Sequence, residues 1–592
     1  MNKFLKYVSM ACIALVMNAC VQDLDVSPID PHSSTSMNAD AMFTKCYACL
    51  TLIGQSDPKG DSDVDYGDAG TSGFYRTIWY CNELCTDEAW WIWPDEDSKQ
   101  LCQTNWNGDN SMMRMIYIRL LLNIKYCNHY IHNAPATTEE EKYRMAEVRF
   151  IRALHYFYLM DLYLYAPLFT TDDGEYPHFV PRHKIYAWLV DELNGVGTDP
   201  GVIMELPADR QSDYRVGKAA AQLLLARIYL NADVYNKLNK EWVAGQMWDE
   251  AYEAANTLIT TNPQHKLFKG PAIDHGEGFV YSAYQQLFMG DNHRKAVMEE
   301  SLFQLYQDGQ YAQTYAGSLM MVAAPRMTGM VPWGTQNGWF AMRTSPTLVD
   351  KFITPAHIGR SQAENMKYDE YKMPAKLKDD RAILCSDGGN TSYTFKLTGR
   401  QNLDDKSFLF DCWVALKFTG VYSTDPQPAK SITRNPEFPE TDIPYMRLAE
   451  AYMIKAEAAA RKSNDWNNSE TLDIINNVIR ARANAEPLSN LDEDALLDEW
   501  SREFYWEGRR RMDLIRFGRF FGPDADNHDK GYHWEGRMGE NDGDNFVSGT
   551  PEYMNWFPIP SDDKRANPNY KTDVEGAEDN EYRTRGGDGY LY

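Results

Sequence analysis

The sequence predicts a mainly α-helical fold: a tetratricopeptide-like solenoid of helix pairs, four repeats in all, broken by one large irregular insertion. Three observations predict it. Apolar residues recur at helical spacing over long stretches, those stretches come in pairs, and the two halves of the series are separated by a segment of quite different composition.

The first pair joins a helix carrying Leu120, Leu121, Ile124 and Tyr130 to one carrying Val148, Ile151, Leu154, Tyr158 and Leu162. The second runs through Ala220, Leu224, Ala226 and Tyr229, then Trp248, Ala251, Ala255 and Leu258. Small residues at these spacings let helix axes approach, and Trp and Tyr fill the remaining gaps. A third pair comprises Tyr445 to Lys462, with Leu448, Tyr452 and Ala456, followed by Leu472, Ile475, Val478 and Ile479. A fourth covers Ala495 to Phe520, with Leu497, Trp500, Phe504 and Ile515. The repeats thus occupy roughly 110–262 and 440–520, each pair burying its apolar face on the next. The insertion, roughly 265–440, is rich in Gly, Pro, Asn and aromatics. Its short apolar runs, Ser301 to Tyr306 and Trp413 to Phe418, fit strands or short helices equally well. Asp524 to Thr550 reads as a further loop.

The N-terminus predicts export. Lys3 and Lys6 precede an apolar run from Val8 to Met17, too short to span a bilayer but suited to a signal-peptide core. Asn18, Ala19 and Cys20 follow, an arrangement that resembles a bacterial lipobox, with Met17 where Leu is usual. The expected organisation is a signal peptide over 1–19, a lipidated tether over 20–35 anchored through Cys20, and a single domain over 36–592. Stable attachment by acyl chains needs more than one of them, at about 0.8 kcal/mol per buried methylene. The formal charge of the whole chain is −26. Such an acidic chain has no basic footprint for nucleic acid and no attraction to anionic membrane surfaces.

Ten cysteines are present. Cys46-x-x-Cys49 and Cys81-x-x-x-Cys85 have spacings compatible with metal ligation, but both lie in helical stretches, where small buried thiols are common. One or two disulfides are compatible with export. No cofactor is expected. His-Glu-x-x-His, Gly-x-Ser-x-Gly, a phosphate-binding Gly-Lys-Ser/Thr loop and a dinucleotide fingerprint are all absent. The chain therefore reads as a binder, not an enzyme.

Binding chemistry is carried by aromatics: 16 Trp, 37 Tyr and 24 Phe exceed what a core obviously needs. A flat indole or phenol face is negative and suits the weakly positive C–H face of a sugar. The densest cluster is Trp90, Trp91 and Trp93, beside Pro94 and acids, followed by Trp106. Trp333 lies between turn residues in the insertion, with Tyr306, Tyr311 and Tyr315 upstream. Trp90, Trp91, Trp93, Trp106, Trp333, Tyr306 and Tyr311 are the expected stacking residues. Arg76 and Asn105 are the expected polar contacts, and Trp339 is expected to pack structurally.

Several spaced motifs then converge. Arg502-Glu503-Phe504-Tyr505-Trp506-Glu507-Gly508-Arg509, continuing to Asp513-Leu514-Ile515-Arg516, resembles the C-terminal signature helix of the SusD/RagB family. Phe557-Pro558-Ile559-Pro560 and Asn567-Pro568-Asn569 are similar to its closing motif. Tyr445 and Arg447 through Glu457 are similar to its third repeat, and Arg152-Ala153 with Pro167-Leu168 to its first. Trp339 to Phe352, with Arg343, Pro346 and Phe352, and Asp380-Arg381 are similar to its centre. The resemblance spans nearly the whole chain after residue 19. It implies a SusD-like fold and a lipoprotein on the outer face of the outer membrane. It also implies capture of oligo- or polysaccharide for a SusC-like TonB-dependent transporter. A RagB-like peptide binder serving the same kind of transporter is the alternative. Asp87-Glu88 resembles the step after which family members line their ligand surface. From spacing, Glu507 and Arg511 are expected to pair at i, i+4, and Gly508 to admit a close helix neighbour.

Overall fold

The computed structural model describes residues 37–592 apart from 56–61, 65–68, 105, 198–199, 209–213, 276–279, 327–333, 337, 353–378, 386–413, 426–434, 521–554 and 576–592. Within it the principal elements are α1 (Ala39–Thr51), α2 (Phe74–Glu83), β1 (Ala89–Trp91), α3 (Glu96–Gln103), α4 (Ser111–Asn133) and α5 (Glu139–Leu162). They continue as α6 (Lys218–Leu230), α7 (Trp248–Thr261), β2 (Ser301–Leu305), α8 (Ser318–Ala323), β3 (Met342–Thr344) and β4 (Ile443–Arg447). The chain then runs through α9 (Leu448–Ser463), α10 (Ser469–Asp473), α11 (Glu493–Phe504) and α12 (Arg510–Arg516). Among the described residues no helix is long and apolar enough to cross a membrane.

Local chemistry starts these helices. Asn110 caps α4, its side-chain oxygen accepting from Met112 N at 3.0 Å. Thr138 and Glu141 form a reciprocal capping box at the start of α5. Asp492 caps α11, accepting from Ala495 N at 2.8 Å. Helix α10 runs directly into a π-helical turn, Ile474–Arg480. Helix α4 packs on α5, and α6 on α7. Helix α7 also packs on α9, whose Ala449, Ala456 and Ala460 are buried. That contact makes the solenoid continuous in space although the insertion interrupts it in sequence. The core is correspondingly one large apolar cluster reaching from Phe43 to Val574.

The insertion is fixed to the repeats by strands and by buried charge. Strand β2 pairs antiparallel with β4, and β1 pairs antiparallel with β3. Glu503 of α11 faces Arg447 at 2.9 Å, the Arg482 guanidinium, and Arg381 at 3.5 Å. Glu499 receives Arg381 at 2.8 Å, Arg480 at 2.6 Å and Arg502 at 2.9 Å. Glu507 does not pair with Arg511 along the helix, as the spacing predicted. The helix breaks at Tyr505, so Glu507 turns to Lys417 and Arg447, 2.7 and 2.6 Å away, while Arg511 meets Asp161 at 3.0 Å.

Gly508 also differs from expectation. Its φ is +77°, and a Cβ there would meet Trp79 Cα only at 3.7 Å, an ordinary contact. The backbone conformation, not crowding, requires glycine, and its N–H donates to Glu83 Oε1 at 2.7 Å. Gly508→Ala is expected to cost about 1–2 kcal/mol, the usual penalty for an L-residue on the left-handed side. A urea midpoint equal to the parent's would contradict this.

The described cysteines, Cys46, Cys49, Cys81, Cys85, Cys102 and Cys127, are buried free thiols. Among the described residues no group of three or more His, Cys, Asp or Glu converges as a metal site.

Candidate functional site

The site is built outward from a buried charged base. Asp87 and Glu88 follow α2 and lie entirely inside. Burial alone would raise the pKa of Asp87. Arg510 at 2.7 Å and Lys351 at 2.6 Å outweigh it and hold this carboxyl well below the usual carboxylate range. Glu83 and Glu88, which face each other, are pushed up by burial, and Glu83 further by its charged neighbour. This base fixes β1, whose residues pair Ala89 with Thr344, Trp90 with Arg343 and Trp91 with Met342. The chain is still tied at Ile92, whose N–H donates to Ala341 O at 2.8 Å. It reaches solvent at Trp93, 41% exposed, and turns at once into α3 through the Asp95 cap.

Trp93 belongs to a series of three rings. Its indole N–H donates to Trp339 O at 3.1 Å. The Trp93 and Trp339 rings are 6.1 Å apart and tilted by 36°; Trp339 and Tyr315 are 6.3 Å apart and tilted by 34°. Each ring is held from behind. Trp339 N donates to Ala323 O at 2.9 Å, at the end of α8. The Tyr315 hydroxyl donates to Glu437 Oε1 at 3.0 Å, and its ring meets Phe438 edge-on at 5.5 Å. Arg76 lies beneath, buried, its guanidinium 5.3 Å from the Trp339 ring, 5.6 Å from Trp91 and 5.3 Å from Tyr80. It donates to Tyr80 Oη at 2.8 Å and to Tyr315 O at 3.4 Å. The result is a row of mutually tilted rings with a buried cation against it, suited to apolar faces of a ligand.

The expected stacking residues divide accordingly. Trp90, Trp91 and Trp106 are buried, so the expectation of exposed rings is corrected for them. All three residues of β1 are interior. Trp91 meets Tyr80 edge-on at 5.1 Å and donates to Asp95 Oδ2 at 3.1 Å, and Trp106 packs on Phe557 at 4.9 Å. Arg76 supports the rings from inside and is not an exposed contact. Tyr306 and Tyr311 are exposed, but they border a separate cleft. Trp333, Asn105 and Cys20 lie outside the described residues. Trp339 and Tyr315 are the residues that sequence reasoning left out of the site. The available signal was that Trp339 directly follows a Gln-Asn-Gly turn sequence, with Trp333 on its other side.

A helical-repeat scaffold that fixes a graded row of rings defines a ligand-binding class of protein. The comparisons agree. Residues 299–575 match the model of the SusD family. The chain is 34% identical over 601 aligned residues to the starch-binding protein SusD of Bacteroides thetaiotaomicron, covering 96% of this chain and 98% of that one. Its fold is similar to a SusD superfamily protein from Parabacteroides distasonis (TM-score 0.60, 18% identity, 90% and 97% of the two chains covered). It is also similar to surface glycan-binding protein A of Bacteroides fluxus (TM-score 0.58, 16% identity, 92% and 98% covered). The chain belongs to the SusD family.

Proposed function

We propose that the protein captures a neutral glycan at the cell surface and holds it, without cleaving it, for transfer to a SusC-like TonB-dependent transporter. The observation that carries this reading is the ring series Trp93–Trp339–Tyr315, exposed at Trp93 and half-buried at the other two rings. Its successive tilts of 36° and 34° suit a coiled polymer better than a flat ribbon. A starch-type glucan is the favoured ligand, supported by the name of the relative that is 34% identical. Anchoring through an acylated Cys20 on the extracellular face of the outer membrane completes the proposal, supported by the lipobox-like N-terminus.

The test is calorimetric titration of the protein with maltodextrin, xyloglucan and laminarin. Trp93→Ala is expected to weaken maltodextrin binding by about tenfold or more, as loss of roughly 1.4 kcal/mol of ring contact requires. Trp93 is 41% exposed and lies past the end of β1, outside the core, so the fold should persist, which the urea midpoint checks. Binding to none of these glycans, with retention of peptides, would replace the glycan reading by the RagB-like one. New reducing ends on prolonged incubation would defeat the non-enzymatic part.

A further inference from the structure

The loop that ends at Tyr315 carries a second aromatic group at its other end. Tyr306 follows β2 directly, and its ring lies 4.4 Å from that of Tyr214, tilted by 56°. Asp308 then shapes the loop, its Oδ1 accepting from the backbone N–H groups of Gln310, Tyr311 and Ala312 at 2.9, 2.7 and 2.8 Å. Tyr311 is thereby held outward on an ordered turn, 80% exposed, its side chain without a hydrogen bond or ring contact among the described residues.

Behind these rings lies a cleft of about 420 Å³, within the range of small-ligand sites. Helix α1 forms the opposite wall with Phe43 and Tyr47, and β2 contributes Phe303 and Gln304. Two features of its polar chemistry point to a ligand. Gln304 is 5% exposed, and its Oε1 has no hydrogen-bond partner among the described residues. A buried amide oxygen left so is costly unless something donates to it. Arg215, at the rim, is fully engaged by Glu147 at 2.6 Å and Glu140 at 2.7 Å. The lining therefore offers aromatic faces and an orphan acceptor, with its one guanidinium already neutralised.

We infer that this cleft is a second carbohydrate subsite, occupied by the continuation of the same neutral glycan chain that lies on Trp93, Trp339 and Tyr315. Continuity is the reason for choosing that occupant. Tyr315 is four positions after Tyr311, so their Cα atoms are at most about 14 Å apart even in a fully extended chain. One polymer leaving the ring series passes the cleft mouth, where sugar hydroxyls supply the donor that Gln304 lacks. The subsite rests on the glycan reading above, and it makes affinity depend on chain length.

Calorimetry on the full chain with maltotriose and with a long maltodextrin tests it. Tyr311→Ala is expected to change trisaccharide affinity by less than about twofold while lowering long-chain affinity about tenfold. Because Tyr311 faces solvent, the variant folds as the parent does. Trp93→Ala is expected to weaken both ligands. If Trp93→Ala weakens both and Tyr311→Ala neither, the second subsite is wrong and the ring series stands. Should Trp93→Ala leave both unchanged, the glycan reading itself fails, and this one with it. An equal loss on both lengths in Tyr311→Ala would also overturn the subsite, since length dependence is its signature.

Discussion

Replacing Glu503 by Ala is expected to lower the unfolding free energy by about 3–5 kcal/mol, the cost of removing one partner from a buried ion cluster. The carboxylate is fully buried, and three guanidinium groups converge on it: Arg447, Arg482 and Arg381. These arginines come from β4, from the segment after the π-helical turn, and from the insertion. One carboxylate therefore ties three parts of the chain to α11. Alanine leaves the cations in place and desolvated, facing one another. Glu300 still bonds Arg447 and Arg482, at 3.0 and 2.8 Å, so the cluster is weakened, not emptied. Glu503→Gln keeps the shape and an acceptor and should cost clearly less than Ala, because only the charge is lost. Urea is the appropriate denaturant, since a guanidinium salt would screen the very charges in question. A loss below about 1 kcal/mol in Glu503→Ala would mean that the cluster contributes little net free energy, as some buried pairs do.

The sequence made the scaffold legible because helix periodicity is a local property. Val148, Ile151 and Leu154 announce their face within two turns, and all three are buried in α5. What joins the repeats was less legible. Nothing near Glu507 indicates that it abandons Arg511 for Lys417, ninety residues away. That choice follows from the break at Tyr505, which is a tertiary outcome. The site was legible in type and only partly in residues. A run of tryptophans marks aromatic chemistry, yet Trp90 and Trp91 form a strand whose two faces are both covered, and only Trp93, past its end, reaches solvent. Trp339 looked structural because it falls within a family motif. It is half-buried and does pack, but the same packing presents its ring beside Trp93. Burial on one face and display on the other are not alternatives for a large planar side chain.

Acidification should destabilise the protein steeply between about pH 4 and pH 2. Burial alone would raise Glu499 and Glu503. For Glu499 the opposing charges are Arg381, Arg502 and Arg480, and for Glu503 they are Arg482, Arg447 and Arg381; each carboxyl is brought to about 2. An unfolded glutamate titrates near 4.3. A carboxyl depressed in the folded state contributes stability that is fully present above the unfolded value and is lost as pH falls through the folded one. Two units on each of two groups correspond to about 3 kcal/mol apiece, to order of magnitude. Asp442 acts in the opposite sense. Burial pushes it up to about 8, so it costs stability at neutral pH, and that cost is relieved as pH falls from about 8 toward 4. Asp380, also raised by burial, adds to the same relief. The expected profile is therefore asymmetric: stability holds or rises slightly from pH 7 to about 4.5, then collapses. Urea titrations at closely spaced pH values measure it directly. In Glu503→Ala the acid limb should be shallower, because one fewer carboxyl takes up a proton on unfolding in that window. An acid limb of unchanged slope in that variant would mean that other carboxyls, such as those of Asp87 or Asp513, govern the collapse, and the central role given to the α11 cluster would be lost.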